Sequence, residues 1–401
     1  MTRELAAGAA RSSTGAPVVG MVGAGQLARM TAQAAVSLGI GFRVLAAAPD
    51  ESAVLGCAGT QIGDYTSLAD LTAFAGDCDV VTFDHEHVPG PQLRALEAAG
   101  TAIRPGPDAL RYTQDKRAMR GRLAGLGVAC PRFSAARNLD DVTGFAAGSG
   151  WPVVLKAVSG GYDGKGVWIC GTPAQAAEVL ALGLDLIVEE NVAFRRELAV
   201  LAARSPSGQA AVYPVVQTIQ QDGICREVLA PAPGLDEATA TAAQRLALVI
   251  AAGLGVTGML AVELFETSQG LLVNELAMRP HNSGHWTIDG ARISQFEQHL
   301  RAVLDLPLGL PAAAAPHAVM VNVLGGEDPD LHSRLVHVMA ADPGLRVHLY
   351  GKAVRPGRKV GHVTALGEDI RPLRDRAWRA ASYLSAGTER DQAPELVIDG
   401  R

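Results

Sequence analysis

The chain is 401 residues long, 48% hydrophobic, and carries a net charge of -6. At roughly 100–200 residues per domain, that length calls for two or three domains with real apolar cores. Its basic residues form no dense run, which excludes a nucleic-acid track, and no apolar segment approaches the ~20 residues that span a bilayer, which excludes helical membrane insertion. The partner implied is a small molecule.

Residues 1–17, rich in Ala, Gly and Ser with interrupting charges, read as a disordered tail and not as a signal peptide. From Val18 to residue 108, apolar runs alternate with helical patterns: VVGMV, a helix to Leu38, FRVLAAA, a helix near Ser67 to Phe74, CDVVTF, and a helix near Pro91 to Ala99. This alternation predicts a small parallel α/β domain. RPGPD punctuates the chain, and Ala109 to Leu126 reads as one charged amphipathic helix opening a second unit, 109–310. There WPVVLKAV and GVWIC flank SGGYDG as a hairpin with no crossover helix. Strands follow at LDLIVEEN, RELAVLAAR, AAVYPVVQTI and the pair GMLAVELF and LLVNELA, which a helix from Asp236 to Leu254 precedes. This unit is α+β with antiparallel sheets. LPLGLPAAAAP is a linker by composition. Residues 311–401 read as a small β-rich domain with a last helix near Leu373 to Tyr383. The five cysteines (Cys57, Cys78, Cys130, Cys170, Cys225) are widely spaced with no C-x-x-C, the pattern of reduced thiols in a cytoplasmic protein.

Gly23-Ala24-Gly25-Gln26-Leu27-Ala28 matches the G-x-G-x-x-G/A turn that leads a strand into a helix beside a pyrophosphate, and Asp50 follows where a ribose partner would stand. On these residues alone the favoured ligand is a nicotinamide dinucleotide. The segment LKAVSGGYDGKGVWI points elsewhere. Its glycines let backbone N–H groups approach an anion, while Lys156 and Lys165 supply charge at either end, which describes a phosphate cover outside the P-loop spacing. Glu189, Glu190 and Glu197 cluster about a strand end. Glu263 and Asn274-Glu275 lie on neighbouring strands, where hard oxygen ligands suit Mg²⁺ together with nucleotide phosphates. A plain turn from Thr267 to Gly270 would set Glu263 opposite Asn274 and turn Glu275 to the other face. A shared ion therefore requires an odd loop or a bulge, which Gly270 favours. His85 and His87 in TFDHEHVPG read as polar loop residues, since no third metal ligand converges on them in the sequence.

Over about Val18 to His362 the chain resembles the ATP-grasp carboxylate-amine ligases. GAGQLARM, SGGYDGKG, NELAMRPHNSGHWT and KAVRPGRKVGH are similar to motifs of the N5-carboxyaminoimidazole ribonucleotide synthases within that superfamily. The resemblance implies an ATP-grasp fold with an N-terminal Rossmann-like pre-ATP-grasp domain and a small β-rich C-terminal domain. It also implies that the glycine turn faces a ribonucleotide instead of NAD. ATP would be held by Lys116, Lys156, the loop Gly161, Tyr162, Asp163, Gly164, Lys165, Gly166 and Val167, the hinge Glu189, Glu190, Asn191 and Val192, and by Glu197, Asn274 and Glu275. Glu263 and Glu275 would carry Mg²⁺. Asp163, Arg279, His281 and Asn282 would form the catalytic group. Gln26, Tyr162, His281, Asn282, Lys352, Arg355 and Arg358 would bind the substrate, the last three at its phosphate. The family usually has a nucleotide-contacting His where this chain has Gln220, and Glu-Asn where it has Gln217-Thr218.

The activity implied is ATP-dependent carboxylation of 5-aminoimidazole ribonucleotide by bicarbonate through carboxyphosphate, in purine biosynthesis, by a cytoplasmic homodimer. The alternatives are a formate-dependent glycinamide ribonucleotide transformylase, which carries Asp where this chain has Asn282, and an NAD-dependent oxidoreductase resting on Gly23 to Ala28 alone.

Overall fold

A computed structural model describes residues 15–161, 165–388 and 393–395. The first unit is built on a four-stranded sheet whose order is Gly59–Ile62, Gly41–Ala46, Val18–Val22, Val80–Phe83, all parallel. Val18–Val22 and Val80–Phe83 are buried at every residue, as strands covered on both faces must be. Helices Gln26–Ser37 and Leu68–Ala75 make crossovers, and Gly90–Ala98, after the last strand, packs beside Leu68–Ala75. The carboxyl ends of the strands, where such sheets bind ligands, point toward the rest of the chain.

The single helix expected over Ala109 to Leu126 is two, Pro107–Gln114 and Lys116–Gly125. Asp115 breaks it: the residue is extended, and its carboxylate caps the second helix by accepting from the Ala118 N–H at 2.9 Å. The break starts a helix at Lys116, whose own N–H donates to the Val158 carbonyl at 3.0 Å, next to the glycine loop.

A small antiparallel sheet follows, ordered Phe133–Ala135, Leu186–Glu190, Val153–Ala157, Val167–Cys170. Leu155, Val188 and Cys170 pack beneath two helices, Leu139–Ser149 and Pro173–Leu180, that the sequence pattern does not announce. Leu139–Ser149 contains two glycines and buries only Val142 and Ala146, so packing and the Asn138 cap carry it against its own propensity.

The third layer is one nine-stranded sheet. From its edge the order is Gly270–Ala277, Gly258–Thr267, Arg196–Arg204, Val216–Gln221, Ile224–Ala230, His317–Leu324, Lys359–Gly367, Arg346–Leu349, with Ala210–Val212 paired beside Arg196–Arg204. Strand Ile224–Ala230 was not expected, because Arg226 and Glu227 interrupt its apolar pattern. Through its pairing with His317–Leu324 the C-terminal β-rich segment continues the same sheet. We propose 18–108, 109–310 and 311–401 as units of chain connectivity, with the sheet running unbroken across the last boundary. Helices Leu331–Ala341 and Ile370–Ala386 cover the C-terminal part of the sheet. Among the described residues no helix is long and apolar enough to cross a membrane. Met1 to Thr14, most of the expected tail, lie outside the described residues.

Candidate active site

A cleft of about 1480 Å³ opens between the strand ends of the first unit, the small sheet, the edge of the large sheet and the loop at residues 352–359. That volume exceeds the ~300–1,000 Å³ of an ordinary small-molecule pocket and leaves room for two ligands. Its walls bring together Gln26, Lys116, Lys156, Gly161, Lys165, Val167, Glu189, Glu190, Asn191, Val192, Glu197, Gln220, Glu263, Asn274, Glu275, Arg279, His281, Asn282, Lys352, Arg355 and Arg358. Tyr162, Asp163 and Gly164 lie outside the described residues. Gly166 stands behind the loop with φ +79°, where a Cβ would press on Ala157 at 3.2 Å.

The opening glycine turn holds no room for a pyrophosphate. Asp84, at the end of Val80–Phe83, accepts from the Gly25 N–H at 2.5 Å, and a Cβ on Gly23 would lie 1.9 Å from its Oδ1. The anion at this helix N-terminus is the chain's own carboxylate, so the glycines serve a close side-chain approach instead of a dinucleotide. Asp50, the expected ribose partner, is exposed. Burial pushes the Asp84 carboxyl up to about 6, against the opposing pull of the Gly25 N–H, Arg279 and Lys352. A carboxyl raised in the fold contributes stability that is complete below its unfolded value near 3.8 and is lost as pH rises through about 6. Asp84→Asn should therefore melt above the parent at pH 8, with the difference shrinking as pH falls toward 4; a constant difference across paired melting curves would refute the titration.

At the nucleotide end, Lys156 Nζ lies 2.7 Å from Glu189 Oε2 and donates to Asn274 Oδ1 at 3.0 Å, while Lys116 Nζ lies 3.0 Å from Glu275 Oε1. Burial opposes the charge of Glu189, and Lys156 with Arg120 overrides it, holding the carboxyl below its usual range. Glu189 thus faces the two cations, and in the rest of the expected hinge Glu190 and Val192 are half-buried and Asn191 is exposed. Phe194 and Phe265 stack beside that hinge at 4.7 Å and add an apolar wall. Sequence reasoning passed over this pair because the two rings are 71 positions apart.

The hairpin register decides whether the paired carboxylates meet. Thr267 pairs with Gly270, Glu266 with Leu271 and Leu264 with Val273, as a plain turn requires. A bulge then intervenes and Glu263 pairs with Glu275. Gly270, with φ +118°, closes the turn, and the bulge is at Asn274, farther along the strand than the expected place. Burial, Glu275 and Glu197 push the Glu263 carboxyl up to about 8.

His281 lies beside this pair, with Nε2 3.3 Å from Glu263 Oε1. The Ser283 N–H donates to Nδ1, so the proton is on Nε2 and points at Glu263. Burial, followed by Arg279 and Lys359, holds this imidazole down to about 3 and keeps it neutral. Arg279 donates through Nε to Glu86 Oε2 at 2.9 Å. Asn282 and Asn322 exchange reciprocal amide bonds of 3.0 and 2.8 Å, so Asn322 fixes the Asn282 side chain. Glu86 and Asn322 carry no sequence signal beyond their neighbourhood. His85 stacks on His87 and meets Tyr65 edge-on. Among the described residues no three His, Cys, Asp or Glu side chains form a metal cage.

Across the cleft, Lys352 donates to Gln26 Oε1 at 2.6 Å, tying the basic loop to the glycine turn. Arg355 and Arg358 are exposed on the same loop.

Residues 17–114 match a ribonucleotide synthetase preATP-grasp domain, 122–296 an ATP-grasp domain and 318–376 a phosphoribosylaminoimidazole carboxylase C-terminal domain. The N5-carboxyaminoimidazole ribonucleotide synthase of Mycobacterium tuberculosis is 57% identical over 380 residues, 93% of this chain and 89% of that protein. The enzyme of the same name from Corynebacterium ammoniagenes is 48% identical, covering 92% of each. The Thermus thermophilus N5-carboxyaminoimidazole ribonucleotide synthetase structure superposes with a TM-score of 0.83 at 39% identity, covering 92% of this chain and 98% of that one. The Aspergillus clavatus synthase in complex with ADP and 5-aminoimidazole ribonucleotide gives 0.84 at 30% identity, with the same coverage. Sharing that three-part order across nearly its whole length, the chain belongs to the N5-carboxyaminoimidazole ribonucleotide synthases, ligases of the ATP-grasp superfamily.

Proposed function

We propose that the cleft carboxylates the exocyclic amine of 5-aminoimidazole ribonucleotide with bicarbonate at the expense of ATP, in purine biosynthesis. A bicarbonate oxygen attacks the γ-phosphorus and ADP leaves; the carboxyphosphate then carboxylates the amine, either directly or through CO₂ that it releases, and phosphate leaves with the amine proton lost to it or to solvent. The observation that carries this reading is the single cleft shared by two separate cation sets, Lys116 and Lys156 at one end and Lys352, Arg355 and Arg358 at the other. Two phosphorylated ligands account for both. The names of the relatives support the same substrates.

Lys116 and Lys156 neutralise nucleotide phosphate charge, the main demand of phosphoryl transfer. The Glu190 to Val192 hinge with Phe194 and Phe265 receives the base, and Glu197 the ribose. The opposed carboxylates Glu263 and Glu275 fit Mg²⁺, because two carboxylates that face each other on the cleft wall and are crowded by Glu197 are relieved by a divalent cation, and two carboxylates plus phosphate oxygens suffice for it. Magnesium bound there would supply charge neutralisation across the phosphates. Arg279, held by Glu86, and neutral His281 face the bicarbonate and the amine. The glycine loop shields a water-labile intermediate, with Tyr162 and Asp163 assigned to it from the family motif.

Phosphate release measured with ATP, bicarbonate and the ribonucleotide tests this reading by omission: productive turnover should need all three, and formate, glycinamide ribonucleotide or NAD should replace none. Support by glycinamide ribonucleotide with formate would assign the chain to the transformylase instead. A cytoplasmic homodimer completes the proposal, and sedimentation of the purified protein checks the dimer.

The basic loop gives a sharper expectation. Arginine's planar fork suits a phosphate dianion. Arg358→Ala should raise the Michaelis constant for the ribonucleotide about ten- to a hundred-fold, the loss of a charge-assisted contact of roughly 1.5–3 kcal/mol. The constant for ATP should barely move. A raised ATP constant with a normal ribonucleotide one would put this loop at the wrong ligand.

A further inference from the structure

Arg120 follows Lys116 by one helical turn, and its side chain is fully buried. It donates through Nε to Glu189 Oε1 at 2.8 Å, through Nη1 to the Val273 carbonyl at 2.6 Å and through Nη2 to the Asn274 carbonyl at 2.8 Å. Successive carbonyls of a regular strand point to opposite sides, so one planar guanidinium cannot ordinarily take two in a row. It does so here because the bulge at Asn274 turns both toward it. Gly270–Ala277 is also an edge strand, and along its outer side Val273 donates to the Ala129 carbonyl at 2.9 Å. Without the guanidinium both carbonyls would be left unpaired, and the plain register, with Glu263 opposite Asn274, would satisfy the backbone better.

We infer that Arg120 is the positioning residue that sets the metal-carboxylate register: its guanidinium locks the bulge that brings Glu275 opposite Glu263. Through Glu189 it also ties that bulge to Lys156, so the carboxylates and the phosphate lysine are held by one fork. The metal part of this inference rests on Glu263 and Glu275 being the magnesium ligands.

Arg120→Lys keeps a charge against Glu189 but cannot bridge two carbonyls. Manganese binding in the presence of ADP, followed by electron paramagnetic resonance, should weaken about tenfold or more, as for loss of an outer-shell support, and the magnesium needed for half-maximal turnover should rise in step. Glu189→Gln should behave differently, raising the Michaelis constant for ATP while leaving manganese binding near the parent's. Amide exchange along Gly258–Ala277 reads the register with no metal present, and protection at Glu275 and Leu276 should fall in Arg120→Lys. A lysine variant with parental manganese binding and parental exchange, and only a lowered melting temperature, would reduce Arg120 to a structural ion pair and overturn the inference. Lost protection together with a parent that binds no manganese would instead leave the register claim standing and sink the magnesium reading. Should Arg120→Lys not fold, Arg120→Met/Glu189→Leu removes both buried charges together. Manganese binding weaker than in Glu189→Gln then supports the inference, and equal binding overturns it.

Discussion

Replacing Glu275 with glutamine should lower turnover about a hundred- to a thousand-fold, equivalent to roughly 3–4 kcal/mol of transition-state stabilisation. The substitution keeps size and hydrogen bonding and removes the charge that opposes Glu263 across the hairpin. It also removes the negative charge that Lys116 faces, 3.0 Å away. Charge neutralisation at the phosphates therefore loses its anchor while the lysine is freed, and binding of ATP should change less than turnover. Raised magnesium should restore part of the rate, since mass action compensates a weakened ligand set. Steady-state rates across a magnesium series check this, and unchanged turnover at ordinary magnesium would remove Glu275 from the site.

What the sequence discloses of this site follows the range of each interaction. The glycine loop proposed as a phosphate cover, the two lysines flanking it and the hairpin carboxylates lie within short contiguous motifs, so spacing alone singles them out. The hairpin shows the limit of that reasoning. Period-two counting correctly pairs Glu266 with Leu271 and shows that a shared ion needs a bulge. It cannot locate the bulge, because the groups that engage the Val273 and Asn274 carbonyls come from a helix some 150 positions earlier.

The glycine turn fails for the same reason. Gly23 and Gly25 fit a dinucleotide fingerprint in sequence, and what fills their space is Asp84, 59 positions beyond Gly25. The helix expected over Ala109 to Leu126 divides because Asp115 is a better cap than an interior residue, a local signal overlooked in favour of amphipathic periodicity. The strand Ile224–Ala230 was hidden by its charged residues, and those charges make sense only beside a helix at the far end of the chain.

That strand carries a large expected effect on stability. Glu227 is fully buried, and Arg374, on helix Ile370–Ala386, reaches it with Nε to Oε1 at 2.7 Å and Nη2 to Oε2 at 2.9 Å. The same guanidinium donates to the Pro394 carbonyl at 3.0 Å. The pair therefore pins the covering helix and the chain beyond it to the middle of the nine-stranded sheet. Breaking a buried pair by removing one partner strands the other charge in a low-dielectric interior, which costs about 3–5 kcal/mol, whereas replacing both with apolar groups of similar volume is often neutral. Arg374→Met should accordingly lower the apparent melting temperature by about 5 °C, and Glu227→Leu/Arg374→Met should recover most of that loss. Because the sheet is continuous from Ile224–Ala230 through His317–Leu324 to Lys359–Gly367, the single variant should loosen the basic loop that precedes Lys359 as well. The Michaelis constant for the ribonucleotide should then rise near the new melting point before that for ATP does. Melting curves of the two variants, with Michaelis constants measured on approach to each transition, check both claims: a double variant no more stable than Arg374→Met would show that the helix depends on the ion pair itself and not on relief of an unpaired Glu227.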